Sequence, residues 1–170
     1  MRLRYSSLLA GAALTLAVGA AQAQTNYVAT LAPCNEVVTG ANPNPCGVSN
    51  GTGSGFFVLN AAETELSYNI TYSGLTSSVS ASHFHAPGNT AQNAGVVRGF
   101  SPFASPIIGT WLSTDAQPFT PTRVQNLKDG LIYANVHTSN YPAGEIRGNL
   151  VPATTATISN SWGRVKKLYR

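Results

Sequence analysis

The sequence holds three histidines, and all of them fall in two short motifs. His83 and His85 sit in Ala81-Ser82-His83-Phe84-His85-Ala86-Pro87-Gly88, and His137 sits in Tyr133-Ala134-Asn135-Val136-His137-Thr138. On an extended strand, residues i and i+2 point to the same side. His83 and His85 therefore present two imidazoles together, while Phe84 points away. A third imidazole from another strand, His137, would complete a three-nitrogen set. Imidazole suits copper, zinc, iron or nickel. Three ligands leave a further position open to water or substrate. The same spacing also reads as histidines that hydrogen-bond to backbone or carboxylate within a sheet, with no metal.

A second cluster follows at Tyr141-Pro142-Ala143-Gly144-Glu145-Ile146-Arg147-Gly148. Pro142 and Gly144 are turn residues, and Gly144 can supply a positive φ. Glu145 and Arg147 then share one face of the next strand, with Ile146 on the other. In one reading Glu145 orients a histidine or an acid/base group from outside the ligand set. In the other, Glu145 and Arg147 form an ion pair that pins the turn and the strand register. Other chemistries lack their motifs. There is no Gly-x-Ser-x-Gly element. Gly51-Thr52-Gly53-Ser54-Gly55 lacks the lysine and helix of a phosphate loop. Glu63 and Glu65 read as surface residues at a strand start, so no carboxylate pair is set up for hydrolysis. No residue is assigned a catalytic role, and the sequence leans away from an enzyme.

The elements that must position these residues are short. Apolar alternations separated by Gly, Pro, Asn and Ser predict strands over 27–31, 55–60, 65–72, 79–86, 95–100, 107–112, 131–138 and 145–151. The clearest is the stretch in which Leu66, Tyr68, Ile70 and Tyr72 alternate with Glu65, Ser67, Asn69 and Thr71. The expectation is an all-β, antiparallel Greek-key sandwich or barrel of about eight strands. One short helix should precede the penultimate strand. Thr120 caps it, Pro121 opens it, Val124 and Leu127 face inward, and Gly130 follows its end.

The N-terminus reads as a signal peptide over residues 1–23, with Arg2 and Arg4 ahead of an apolar run at 8–18 and Ala21-Gln22-Ala23 as the cleavage site. The run is short for a membrane span, which needs about 20 residues. The mature chain should then be secreted, periplasmic or extracellular, with a domain over 24–152. In that oxidising setting Cys34 and Cys46, the only two cysteines, should form a disulfide. Closing so short a loop stabilises by about 3 kcal/mol in the chain-entropy model. Residues 153–170 form a linker and a basic tail. Its Trp162, Val165 and Tyr169 could share a helical face and contact a surface, or the tail could fray or dock on the domain. Asn50-Gly51-Thr52 and Asn69-Ile70-Thr71 are formal glycosylation sequons.

Only 9% of residues are charged, against ~25% in an average soluble protein, which excludes coiled coils and charged disordered chains. The formal net charge of +4 suggests nucleic acid until the charges are located. Arg2 and Arg4 fall in the leader, and Arg164, Lys166, Lys167 and Arg170 in the tail. Between them remain Arg98, Arg123, Lys128 and Arg147 against six acidic residues, a net of −2. A nucleic-acid partner loses its support, and the partner is left as an unknown protein or cell-surface component.

The motifs together carry a family resemblance. Leu131-Ile132-Tyr133-Ala134-Asn135-Val136-His137-Thr138, followed by Tyr141-Pro142-Ala143-Gly144-Glu145-Ile146-Arg147-Gly148-Asn149-Leu150, resembles the closing signature of the CHRD domain family. That family is named for repeats in chordin and is also found in secreted bacterial proteins. Asn35-Glu36-Val37, the stretch 53–60, Tyr68-Asn69-Ile70-Thr71-Tyr72-Ser73-Gly74-Leu75, Ser82-His83-Phe84-His85-Ala86-Pro87-Gly88 and Gly109-Thr110-Trp111 resemble its other elements, in order. The resemblance covers roughly residues 30–150. It implies an exported β-sandwich acting as a binding module, without a defined activity. The Cys34–Cys46 loop and the tail depart from the family pattern. A weaker similarity links His83, His85 and His137 to three copper ligands of copper–zinc superoxide dismutase. No counterpart exists for its zinc loop or bridging histidine. That similarity implies at most one ion, copper or zinc. It leaves open a small copper-dependent redox protein, and a metal-free structural or adhesive protein stands as a further reading.

Overall fold

The computed structural model describes residues 23–154. The expected signal peptide, apart from Ala23, and the basic tail beyond Thr154 lie outside the described residues. Nine strands and one α-helix follow in chain order: β1 (Thr25–Leu31), β2 (Thr52–Leu59), β3 (Glu65–Ser73), β4 (Val79–His85), β5 (Val96–Gly99), β6 (Ile107–Leu112), α1 (Pro121–Lys128), β7 (Tyr133–Thr138), β8 (Ile146–Asn149) and β9 (Val151–Pro152). They form two antiparallel sheets, one ordered β6-β3-β2-β1-β9 and the other β5-β4-β7-β8. The all-β sandwich expectation holds. The chain crosses between sheets repeatedly: β6 returns beside β3 in the first sheet, and β7 beside β4 in the second.

The alternation that predicts β3 also builds the core. Leu66, Tyr68 and Ile70 are buried, while Asn69 and Thr71 face water. On β4 the inward residue is Phe84, fully buried between the sheets. Its ring stacks on Trp111 at 5.5 Å and meets Phe100 edge-on at 4.7 Å and Tyr68 edge-on at 5.5 Å. Burying such a side chain contributes about 1.5–3 kcal/mol, and the aromatic contacts add to it. This anchor fixes the rotation of β4 and turns His83 and His85 to the opposite face. The helix behaves as expected: Thr120 Oγ1 accepts from the Arg123 amide, Val124 and Leu127 are buried, and Gly130 follows with φ +70°.

Two features differ from the expectation. The last strand, expected over 145–151, is two strands, which makes nine rather than about eight. β8 pairs with β7, and β9 pairs with β1. The switch falls at Leu150, whose side chain is fully buried and whose amide donates to the Ile132 carbonyl. A strand that buries this residue between the layers leaves one sheet and enters the other. The sheets also meet at this corner. Ala32 and Arg147 exchange backbone hydrogen bonds of 3.1 and 3.3 Å. A Cβ on Gly148 would lie 2.5 Å from the Thr30 carbonyl oxygen, so only glycine permits the approach.

The second difference concerns the outer face of the second sheet. An antiparallel sandwich sheet ordinarily leaves one face wet. Here all six residues of β7 are buried. Ala134 and Val136 face the core. Tyr133, Asn135 and His137 face outward and lie under loops. Residues 86–95 and the segment around Glu36 form that cover, tied together by Asn93 Nδ2 donating to the Val37 carbonyl at 2.8 Å. The Cys34–Cys46 disulfide closes the latter segment.

Candidate metal centre

β4 and β7 are hydrogen-bonded neighbours, with Ala81 opposite His137, His83 opposite Asn135 and His85 opposite Tyr133. The pairing brings the two histidine motifs onto one face. His83, His85 and His137 each offer a ring nitrogen, and the three atoms lie within 4.8 Å of one another. His85 and His137 are buried and His83 is half-buried.

The hydrogen bonds decide which nitrogens face the gap. His85 Nδ1 lies 2.9 Å from the Ala94 carbonyl and His137 Nδ1 lies 3.0 Å from the Pro142 carbonyl. A carbonyl only accepts, so each Nδ1 carries the proton and each Nε2 keeps a bare lone pair. His85 Nε2 is buried and has no partner. His137 Nε2 sits 3.1 Å from His83 Nδ1, which is the donor by the same reasoning. Burial pushes all three imidazoles below the ordinary histidine pKa, His85 to about 4, where the charges of His137, His83 and Arg147 act in the same direction. The site is thus a set of neutral imidazoles. Nδ1–H donors fixed by backbone carbonyls are the usual support of metal-ligating histidines. Among the described residues, no other group of three or more His, Cys, Asp or Glu is placed to hold a metal.

Glu145 and Arg147 are both fully buried, but they do not pair. Among the described residues the ion pairs are Arg98–Asp115 and Lys128–Glu63. Glu145 instead accepts four hydrogen bonds: from Ser49 Oγ (2.6 Å), the Thr76 amide (2.7 Å), Thr76 Oγ1 (3.0 Å) and Thr138 Oγ1 (2.6 Å). Burial alone would raise its pKa, and these donors outweigh that and hold it below the ordinary carboxylate range. It ties two loops to the end of β7, and none of its hydrogen bonds reaches an imidazole. Arg147 donates to Asn93 Oδ1 (3.0 Å) and to the carbonyls of Asn89 (2.5 Å) and Gln92 (2.8 Å). The ion-pair expectation fails because the strand ends between two loop systems, and each side chain serves a different one.

Sequence reasoning gave no role to Glu36, Tyr133 or Asn135. The Glu36 carboxyl lies over Asn135, whose Nδ2 is 3.4 Å from Glu36 Oε2. Glu36 Oε1, Asn135 Oδ1 and Arg147 Nε are buried without partners. Gly144, at φ +132°, leaves room for this group; a Cβ there would lie 2.6–2.7 Å from the Asn135 and Glu36 oxygens. The signal for Tyr133 and Asn135 was present, since both alternate onto the face of His137. Glu36 was marked only by the Asn35-Glu36-Val37 resemblance, and the irregular loop that carries it has no periodicity from which to place it over Asn135.

Residues 27–150 match a family model described as the CHRD domain. No curated protein and no solved structure matches the chain.

Proposed function

We propose that this chain, which belongs to the CHRD domain family, is an exported binding module carrying one transition-metal ion, copper favoured, on His83, His85 and His137. One observation carries the reading. Three neutral imidazoles gather their ring nitrogens within 4.8 Å, and the buried His85 Nε2 has no other partner. The ligand set is all nitrogen, with no thiolate or carboxylate, which suits copper or zinc. Cu(II) stands at the top of the affinity order for such a site. A metal bound at about 2.0–2.1 Å keeps its nitrogens within about 4.2 Å of each other, so the set contracts slightly on binding, and the His83 Nδ1 proton now shared with His137 Nε2 at 3.1 Å has to give way to the ion. The partially exposed His83 also favours a second reading, a small copper-dependent redox protein, because a reactive ion needs a reachable face. A purely structural or adhesive role needs no metal.

The disulfide fits an oxidising compartment. Among the described residues no helix is long and apolar enough to cross a membrane. The macromolecular partner of the module is a protein or cell-surface component without nucleic-acid character, since the domain carries more acidic than basic residues.

Elemental analysis of protein purified without a histidine tag tests the metal. The expected result is one equivalent of copper or zinc, or uptake of one equivalent of added Cu(II), lost in His83→Ala and His137→Ala. Folded wild-type protein that takes up neither Cu(II) nor Zn(II) overturns it.

A further inference from the structure

The most unusual packing outside the ligand set is a three-layer stack. The rings of His85 and Tyr133 are parallel within 2°, with centroids 4.8 Å apart. The Arg147 guanidinium carbon lies 3.5 Å from the centroid of the Tyr133 ring. Arg147 is fully buried, forms no salt bridge among the described residues, and sends its outer nitrogens into loop 86–95. The same loop supplies Ala94, whose amide donates to the Tyr133 hydroxyl at 3.0 Å and whose carbonyl accepts from His85 Nδ1 at 2.9 Å.

We infer that Tyr133 and Arg147 are positioning residues for His85. They hold its ring flat and its Nε2 aimed at the metal gap, through the stack and through the Ala94 carbonyl of the clamped loop. The inference rests on the metal reading above and adds the devices that prepare the ligand. A planar fork is required here. Guanidinium can lie flat on an aromatic face while donating to several acceptors at its edge, which an ammonium cannot do. The tyrosine hydroxyl is equally specific, because it holds Ala94 by its amide, and the carbonyl of that same residue selects the imidazole tautomer. Outer partners of this kind typically change metal affinity 10–100-fold when removed.

The test uses Tyr133→Phe, which keeps the ring and removes the hydroxyl, and Arg147→Lys, which keeps the charge and removes the fork. Asn93→Ala, at an exposed loop position that gives up one Arg147 contact, serves if Arg147→Lys does not fold. Val124→Ala in α1 is a control that weakens the core away from the stack. Two readouts are taken. Long-range nitrogen NMR of the metal-free proteins reports the His85 tautomer. Competition titration and EPR report Cu(II) binding. Wild type and Val124→Ala should hold His85 in the Nδ1–H form. Tyr133→Phe and Arg147→Lys should show mixed tautomers, Cu(II) binding about 10–100-fold weaker, and altered copper hyperfine splitting. Folded variants that keep the tautomer, the spectrum and an affinity within about threefold of wild type overturn the inference. If wild type binds no Cu(II), the metal reading falls, and the tautomer comparison alone still decides whether these residues position His85.

Discussion

Glu36 and Glu145 belong to different hydrogen-bonded groups, Glu36 beside Asn135 and Glu145 among Ser49, Thr76 and Thr138, and their surroundings drive them in opposite directions. Burial raises Glu36 from the ordinary 4.5 to about 8, against the opposing Arg147 charge and the Asn135 hydrogen bond. The folded protein therefore holds this proton more tightly than the unfolded chain does. The associated stability is complete below about 4.5 and is lost as pH rises through about 8. Glu36→Gln should flatten that loss, so urea midpoints at pH 5 and pH 9 should lie closer together than in wild type. Glu145 is lowered, because four donors outweigh its burial. Its contribution is present above the ordinary carboxylate pKa and is lost as pH falls through its lowered value. Glu145→Gln should cost about 1–3 kcal/mol at neutral pH, since its amide opposes donors with a donor. It should also weaken the acid sensitivity of the urea midpoint. A variant as stable as wild type at pH 7 would show that the four hydrogen bonds are not needed to hold the loops.

At the scale of elements, the candidate site depends on one strand pair and two covering loops. β4 is turned by Phe84 and β7 by Ala134 and Val136, and register then places the imidazoles side by side. The loop cover is held by contacts remote in sequence: Asn35 Nδ2 donates to the carbonyls of Thr30 and Arg147, and Asn93 bridges Arg147 to Val37. The disulfide restrains the loop that delivers Glu36. Cys34→Ser with Cys46→Ser should lower unfolding free energy by about 3 kcal/mol in the chain-entropy model. Hydrogen exchange should rise first in residues 33–50 and next at Asn93 and Ala94, while the amides of β2 and β3 stay protected. Uniform loss across both sheets would show that the disulfide supports the whole sandwich rather than the cover.

For the whole molecule, a metal that binds only the folded state adds stability set by its concentration. At one hundred times its dissociation constant the gain is about 2.7 kcal/mol, several degrees in Tm for a domain of this size. Wild type titrated with Cu(II) should show that shift, and His83→Ala and His137→Ala should show none. An equal shift in the variants would place the metal elsewhere. The all-β class, the positions of most strands, the capped helix and the candidate ligand residues were legible in the sequence, because each depends on local spacing, cap chemistry or residue type. Phe84 between His83 and His85 shows why: alternation fixes which side chains share a face before any partner strand is known. The split of the last strand at Leu150, the separate partners of Glu145 and Arg147, and the burial of the polar face were not legible. Each depends on which distant segments meet. The sequence by itself determined that two imidazoles share a face and that a disulfide is available to close a loop. Only the tertiary structure decided that His137 joins them, that the Ala94 and Pro142 carbonyls hold their tautomers, and that Arg147 stacks on Tyr133 behind His85. Strand register and loop closure are long-range pairings, and no local pattern of residues specifies them.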